Sequence, residues 1–271
     1  MMIKKIFKKY GANMKKSVII FLIVFIIIIV VVTLLYNFRI IPNKQYSNSD
    51  FNIETYISNV DKDNDGIDDQ TDILNNVREY IKTKPKYKSK YYGAGYPDDE
   101  YGVCTDVVAN GLKGAGYDLM ELVNEDITSH KEKYNIETID KNIDFRRVRN
   151  LNIYFKNNNT SLTNDLSKIE EWQGGDIIVF KNHIGIISDK RNRKGIPFLI
   201  HHANPMQINY EEDVLELYGQ EYIIGHYRIS YSTTRNYKFI KWTFFIIRKI
   251  SNINGFKQNR WHILLYWVGV W

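Results

Sequence analysis

The sequence is poor in cysteine, with one, Cys104, among 271 residues. A single thiol excludes a disulfide framework and a cysteine-cluster zinc site, because both need several thiols within reach of one another. Five prolines and sixteen glycines are too few for a collagen-like or Pro/Gly-rich low-complexity chain. We therefore expect one or two packed domains, and any chemical role of Cys104 must be played without a second thiol.

Acidic residues are missing from both ends of the chain. Residues 1–17 contain six lysines and no acid, and residues 231–271 contain seven lysines and arginines and no acid. The part between them carries 24 basic and 31 acidic side chains. A duplex-binding protein carries its positive charge on the folded domain, where it neutralises phosphates. We therefore expect no nucleic-acid partner.

Charge is also absent from residues 18–36, where every residue except Thr33 is apolar or aromatic. As a helix, this run spans about 28 Å, close to the thickness of a bilayer core. A cleaved signal peptide has a shorter apolar core and a small-residue cleavage site, whereas this run leads into Asn37, Phe38 and Arg39. The lysines before it favour a cytoplasmic amino terminus. The sequence predicts a single-pass, uncleaved anchor at residues 18–36, with residues 1–17 cytoplasmic and the rest extracytoplasmic.

Composition and hydrophobic period divide the remainder of the chain. Residues 37–58 are rich in Asn and Ser and are predicted to be a linker, and residues 59–83 combine an acidic loop with an amphipathic helix. Within residues 84–230, helical patterns at 104–112, 119–134 and near 148–155 precede short apolar runs at 177–180, 184–188, 198–201 and 222–229. This order predicts an α+β fold in which N-terminal helices pack on an antiparallel sheet. Residues 231–271 form a basic, aromatic tail, suited to an anionic membrane surface or wall polymer, or else a dispensable extension.

The acidic loop has the spacing of a calcium site. Its carboxylates stand at positions 1, 3, 5, 9 and 12 of a twelve-residue window, with Gly66 for the sharp bend. The predicted ligands are Asp61, Asp63, Asp65, the Ile67 carbonyl, Asp69 and Asp72. We expect a structural Ca²⁺, since the side-chain ligands are all carboxylates on one local loop and no histidine is nearby in sequence. Asp72 is shorter than the usual Glu, as in the calcium loops of exported modules, where affinity is often modest. The alternative is a solvated acidic turn.

Cys104 lies where a loop gives way to a helical pattern. Unpaired N–H groups at a helix N-terminus favour thiolate, which predicts a lowered thiol pKa. A thiol nucleophile needs a base and a group that orients the base. His183 and His201 stand on predicted neighbouring antiparallel strands, which can place the two rings side by side. The alternative is an inert buried cysteine with structural histidines.

Three separated segments carry a family resemblance. They are residues 101–108 around Cys104, residues 142–151 with Asp144, Arg146 and Arg147, and residues 183–190 followed by Ile200 and His201. In this order they resemble domain-of-unknown-function family 1287, and more broadly the NlpC-type cell-wall cysteine peptidases of bacteria. The resemblance implies a papain-like fold over about residues 59–230. It also implies Cys104 as nucleophile, His183 as general base and His201 as the orienting residue, with His202 and Asn204 as alternatives for that last role.

The implied reaction is amide hydrolysis through a thioester on Cys104. For an anchored, outward-facing bacterial enzyme, the expected substrate is a peptidoglycan stem peptide. Arg146 and Arg147 are candidates to clamp a substrate carboxylate, and a structural role is equally open for both. Two other functions stay open: a non-catalytic wall-binding module, and an acyltransferase that passes the acyl group to an amine.

Overall fold

A computed structural model describes residues 2–37 and 44–230 of the chain. The chain divides into two units, residues 1–229 and 230–271. The predicted basic, aromatic tail at residues 231–271 lies outside the described residues. Helix α1 (Met2–Asn37) contains the apolar run, and its segment Lys16–Tyr36 is long and apolar enough to cross a membrane. A signal sequence has the same features, so α1 by itself does not establish the topology.

The domain that follows begins with helices and ends with strands. Its helices after α1 are α2 (Asp69–Lys82), α3 (Cys104–Gly114), α4 (Leu119–Ser129), α5 (Lys131–Tyr134), α6 (Lys141–Asp144), α7 (Val148–Asn158) and α8 (Leu215–Tyr218). Its strands are β1 (Lys86–Tyr87), β2 (Tyr101–Gly102), β3 (Thr160–Ser161), β4 (Ile177–Phe180), β5 (Ile184–Arg191), β6 (Pro197–Ile200), β7 (Glu211–Glu212) and β8 (Ile223–Arg228).

Six strands form one sheet in the order β3-β8-β4-β5-β6-β7, and every neighbouring pair is antiparallel. The predicted α+β class with an antiparallel sheet is confirmed, and the four longer strands lie where the apolar runs predicted them. These runs form strands because short, β-branched stretches are bounded by Gly, Asn and charged residues.

Alternation along the strands gives the sheet two buried faces. Ile177, Val179 and Ile186 pack in the core that also contains α2, α3 and α7. Side chains of the opposite face, such as Ile178 and Leu199, form a second cluster around Trp172. Helix α3 packs against α2 and against β5, so the residue that opens α3 lies at the centre of the domain.

Residues 37–58 are predicted to be a linker, but from residue 44 onward the structure shows contacts with the folded domain. Asn48 is buried and its Oδ1 accepts a hydrogen bond from Arg191 Nε at 2.6 Å, while its Nδ2 donates to Gln173 Oε1 at 3.0 Å. Tyr46 forms a β-bridge with Arg191. Residues 44–58 therefore pack on the domain, because their polar side chains satisfy buried partners that are distant in sequence.

Candidate functional site

Cys104 is the first residue of α3 and is buried, with 8% of its surface exposed. The preceding Val103 N–H donates to the Asp106 carboxylate at 2.8 Å, which closes the first turn of the helix. Burial raises the pKa of the Cys104 thiol to about 11 and outweighs the backbone N–H groups of Ile184 and Thr105, which act to lower it. The expected lowered pKa is therefore wrong for this structure, because desolvation of the sulfur exceeds the effect of the helix N-terminus.

The two predicted histidines meet at one end of the neighbouring strands β5 and β6. His183 directly precedes β5 and His201 directly follows β6, and His183 Nε2 lies 2.8 Å from His201 Nδ1. A Cβ on Gly185 would lie 2.7 Å from the Ile200 carbonyl oxygen and 3.1 Å from His201 Cβ. Glycine at this position therefore permits the close approach of β5 and β6 that joins the rings.

Glu212 extends this pair into a chain of three groups. Its carboxylate oxygen Oε2 lies 3.2 Å from His201 Nε2. Because a carboxylate only accepts, His201 donates through Nε2 and its Nδ1 accepts the proton of His183 Nε2. The lone pair of neutral His183 is then on Nδ1. Gln207 supports the arrangement, since its Nε2 donates to Glu212 Oε2 at 3.2 Å.

His183 is uncharged at neutral pH. Burial, together with the neighbouring His201 and His202, lowers the pKa of His183 to about 3. Cys104 and Ile184, the residue after His183, lie in the same buried cluster, where α3 packs against β5. Within the described residues, no hydrogen bond joins the Cys104 sulfur to the His183 ring. The resting site is therefore a neutral thiol beside a neutral imidazole.

His202 and Asn204 are the other two candidates for the orienting role. The His202 ring contacts the rings of Tyr87 and Tyr210, with centroids 5.0 and 4.9 Å away. Asn204 is exposed and its Oδ1 accepts the Met206 N–H at 2.9 Å. Of the three candidates for an orienting residue, His201 is the one hydrogen-bonded to His183.

The two arginines proposed to clamp a substrate have different surroundings. Arg146 is buried, and its Nε and Nη2 donate to the two Asp106 carboxylate oxygens at 2.7 and 2.8 Å. Its Nη1 donates to the Lys90 carbonyl at 2.6 Å. Arg146 therefore has the structural role, tying α3 to the preceding loops. Arg147 is exposed, with Nε 3.7 Å from Asp144 Oδ1.

The acidic loop brings together three of its five predicted aspartates. Oxygens of Asp61, Asp63 and Asp65 all lie within 4.8 Å of one another and are exposed. Gly66 has φ +92°, as the predicted sharp bend requires. The loop is stabilised from within, since the Asp61 carboxylate accepts the Gly66 N–H at 2.9 Å and Asp65 Oδ1 accepts the Ile67 N–H at 2.8 Å.

The other two aspartates are buried at the start of α2. Asp69 accepts hydrogen bonds from the Lys62 N–H at 2.7 Å and from the Tyr117 hydroxyl. Asp72 accepts from Asn76 Nδ2 at 2.7 Å, and burial together with Asp65 and Asp63 raises the pKa of Asp72 to about 6. The exposed carboxylates suit a hard cation, whereas both oxygens of Asp69 already have partners inside the protein.

Sequence reasoning missed Glu212 and Gln207. Both follow His201 closely, and the only signal was the acid pair Glu211–Glu212 in a loop without apolar periodicity. Strand β7 has two residues, and it is its pairing with β6 that brings Glu212 to His201.

The fold and the site together define an α+β protein with a buried cysteine at a helix start and a His183–His201–Glu212 chain at one end of the strands of an antiparallel sheet. Residues 74–229 match the family described as Domain of unknown function (DUF1287). The chain belongs to this family. It is also 34% identical over 153 residues to the Uncharacterized protein YijF of Escherichia coli (strain K12), covering 53% of this chain and 72% of that protein. No solved structure gives a significant match.

Proposed function

We propose that this protein is a membrane-anchored, extracytoplasmic cysteine amidase or endopeptidase that acts on peptidoglycan stem peptides. The observation that carries the proposal is the His183–His201–Glu212 chain at the start of β5, the strand against which the helix opened by Cys104 packs. A nucleophile, a base and an orienting group are what thiol catalysis of acyl transfer requires.

Because thiol and imidazole are both neutral at rest, the proton moves when the sulfur attacks. His183 Nδ1 takes the Cys104 proton as the sulfur adds to the peptide carbonyl, and the resulting imidazolium donates through Nε2 to His201 Nδ1. His183 then gives the proton to the leaving amine, which leaves a thioester on Cys104. Water, activated by His183, hydrolyses the thioester and restores the thiol. Catalytic hydrogen bonds often form only when substrate is bound, so the absence of a Cys104–His183 bond at rest is compatible with this sequence.

The backbone around Cys104 offers donors for the oxyanion. Cys104 opens α3, and the N–H groups of Cys104, Thr105 and Ile184 are directed at the sulfur. N–H groups in this position stabilise negative charge that develops on a carbonyl oxygen during attack. Positioning these donors requires the first turn of α3, which the Arg146–Asp106 ion pair holds in place.

The finer fold assignment is also part of the proposal. A helix that begins at the nucleophile and packs on an antiparallel sheet carrying the histidines supports a papain-like, NlpC-type arrangement. The position of α1 ahead of the domain and its preceding lysines support a single-pass anchor with the domain outside a bacterial cell membrane. We further propose that Asp61, Asp63 and Asp65 hold a structural Ca²⁺.

A second function is favoured by one observation. The thiol is buried and its pKa is raised, as expected of a packed cysteine in a non-catalytic wall-binding module. The test is mass spectrometry of muropeptides incubated with wild type, Cys104→Ala and His183→Ala. Hydrolase activity predicts new peptide fragments with wild type and a loss of about 1,000-fold or more in either variant. His130→Ala, which changes a partly exposed histidine between α4 and α5, should leave the rate unchanged. Wall binding without fragments favours the second function.

A further inference from the structure

A polar cavity of about 620 Å³ adjoins the turn that leads into His183. It lies where α6 and the N-terminus of α7 face the β4–β5 turn. Its charged and amide side chains include Asn135, Glu137, Arg147, Arg149, Lys181 and Asn182. Lys181 and Asn182 are the two residues immediately before His183, so the cavity borders the turn that leads into this histidine.

Positive charge in this cavity is incompletely neutralised. Three cations and two carboxylates, Glu137 and Asp144, line it. Asp144 is buried, accepts the Asp140 N–H at 2.8 Å and lies 3.7 Å from Arg147. Neither Arg149 nor Lys181 forms an ion pair with any residue in the described part of the chain. One monovalent anion would balance the cavity.

The backbone adds donors to the same wall. Val148, Arg149 and Asn150 line the cavity and form the first turn of α7. This turn contains no acidic residue, and the N-cap residue Arg147 makes no capping hydrogen bond through its side chain. The positive end of the helix dipole therefore lacks a capping side chain at this wall. It adds to the positive potential of the cationic side chains.

We propose that this cavity binds a carboxylate of the peptide substrate, one to three residues from the bond that is cleaved. The proposal rests on the proposed hydrolase function, and it makes acidic peptides the preferred substrate class. Planar guanidinium groups bind carboxylates through paired hydrogen bonds. Because Lys181 and Asn182 join the cavity wall to His183, and an extended peptide advances about 3.4 Å per residue, we place this carboxylate close to the scissile amide along the peptide.

The test compares two synthetic stem pentapeptides that differ only at one group, a free α-carboxylate or the corresponding carboxamide on the second residue. Binding is measured by calorimetry to the full-length Cys104→Ala protein in detergent micelles. We expect the carboxylate peptide to bind about tenfold or more tightly, as for loss of a charge-assisted contact. Arg149→Gln with Lys181→Gln should abolish the preference. Arg193→Gln, a matched exposed cation past the far end of β5, should retain it.

Equal affinity for the two peptides, absence of binding by both, or a preference that survives the Arg149 and Lys181 changes would overturn the proposal. Inorganic phosphate is the second probe. If it binds more tightly than the carboxylate peptide, displaces it and requires Arg149 and Lys181, the cavity serves another anion and the proposal is overturned. Turnover of both peptides by wild type is measured separately. If wild type cleaves both peptides and binding shows no preference for the carboxylate, only the anion site is wrong. If binding prefers the carboxylate through Arg149 and Lys181 but neither peptide is cleaved, the hydrolase function is wrong and the anion site stands.

Discussion

At the scale of single residues, the protonation state of Cys104 decides how the thiol reacts. Its pKa is raised to about 11 by burial, so at pH 7 the reactive thiolate is a minor species. Between pH 7 and 9 the thiolate fraction rises about tenfold per pH unit, because the thiol is deprotonated only as the pH approaches its pKa. We expect the rate of iodoacetamide labelling to rise in the same proportion, measured by intact mass on this single thiol.

Two controls bear on this prediction. Cys104→Ala should take no label, and glutathione measured in parallel corrects for the reagent. A labelling rate that is constant between pH 6 and 9 would contradict the prediction, because it would mean that a thiolate–imidazolium pair exists before substrate binds.

Arg146 gives a second prediction at this scale. Its side chain is 2% exposed and that of Asp106 is fully buried, so Arg146→Met leaves a buried carboxylate without its counterion. We expect a loss of about 3–5 kcal/mol in the free energy of unfolding, measured by urea denaturation of the detergent-solubilised chain. Arg147→Met, at an exposed position, should change it by less than about 0.5 kcal/mol. A loss below about 1 kcal/mol for Arg146→Met would show that the ion pair does not support α3.

At the scale of elements, the loop before α2 is the place where an ion would act on stability. The exposed carboxylates of Asp61, Asp63 and Asp65 repel one another, and Asp65 and Asp63 also raise the pKa of Asp72 at the start of α2. If Ca²⁺ binds with millimolar to submillimolar affinity, 10 mM CaCl₂ stabilises the fold by about 1.5–3 kcal/mol, which raises the Tm by several degrees. The measurement is a thermal melt of the full chain with CaCl₂ and with NaCl of equal ionic strength.

The matched variant for this experiment is Asp61→Asn with Asp63→Asn, which should lose the calcium-dependent rise in Tm. Glu79→Gln, an exposed acid on the same helix α2, should keep it. If CaCl₂ raised the Tm of the Asp61/Asp63 variant as much as that of the Glu79 variant, the stabilisation would come from general charge screening and the proposed calcium site would be wrong.

The elements show which features could be predicted from sequence. Strands β4 and β5 and the start of α3 at Cys104 were predictable because each combines an apolar period with Gly, Asn or a charged boundary. The meeting of His183 and His201 followed from antiparallel neighbours. The strands β1, β2, β3 and β7 have two residues each and no period, so they were missed, and with β7 the contact of Glu212 was missed.

Residue environments that depend on partners distant in the chain also could not be predicted from the sequence. The helix start at Cys104 was visible, but the burial that raises its pKa depends on packing against β5. Arg146 was a candidate to bind a substrate carboxylate. In the fold it pairs instead with Asp106, 40 residues earlier in the chain, and has a structural role. Local pattern thus located the reacting groups, whereas long-range packing set their charge.

At the scale of the whole molecule, α1 leads to a prediction about the location of the protein. An uncleaved anchor predicts that the intact 32.1 kDa chain stays in the membrane fraction after carbonate extraction. Ile26→Lys with Ile27→Lys places two charges in the middle of the apolar segment, each costing about 2.5–3.5 kcal/mol on insertion, so this variant should be released from the membrane. Ile26→Leu with Ile27→Leu keeps the hydropathy and should remain membrane-bound. A wild-type chain whose mass lacks the residues of α1 would instead show that the helix is a cleaved signal, and the domain would then act as a released protein.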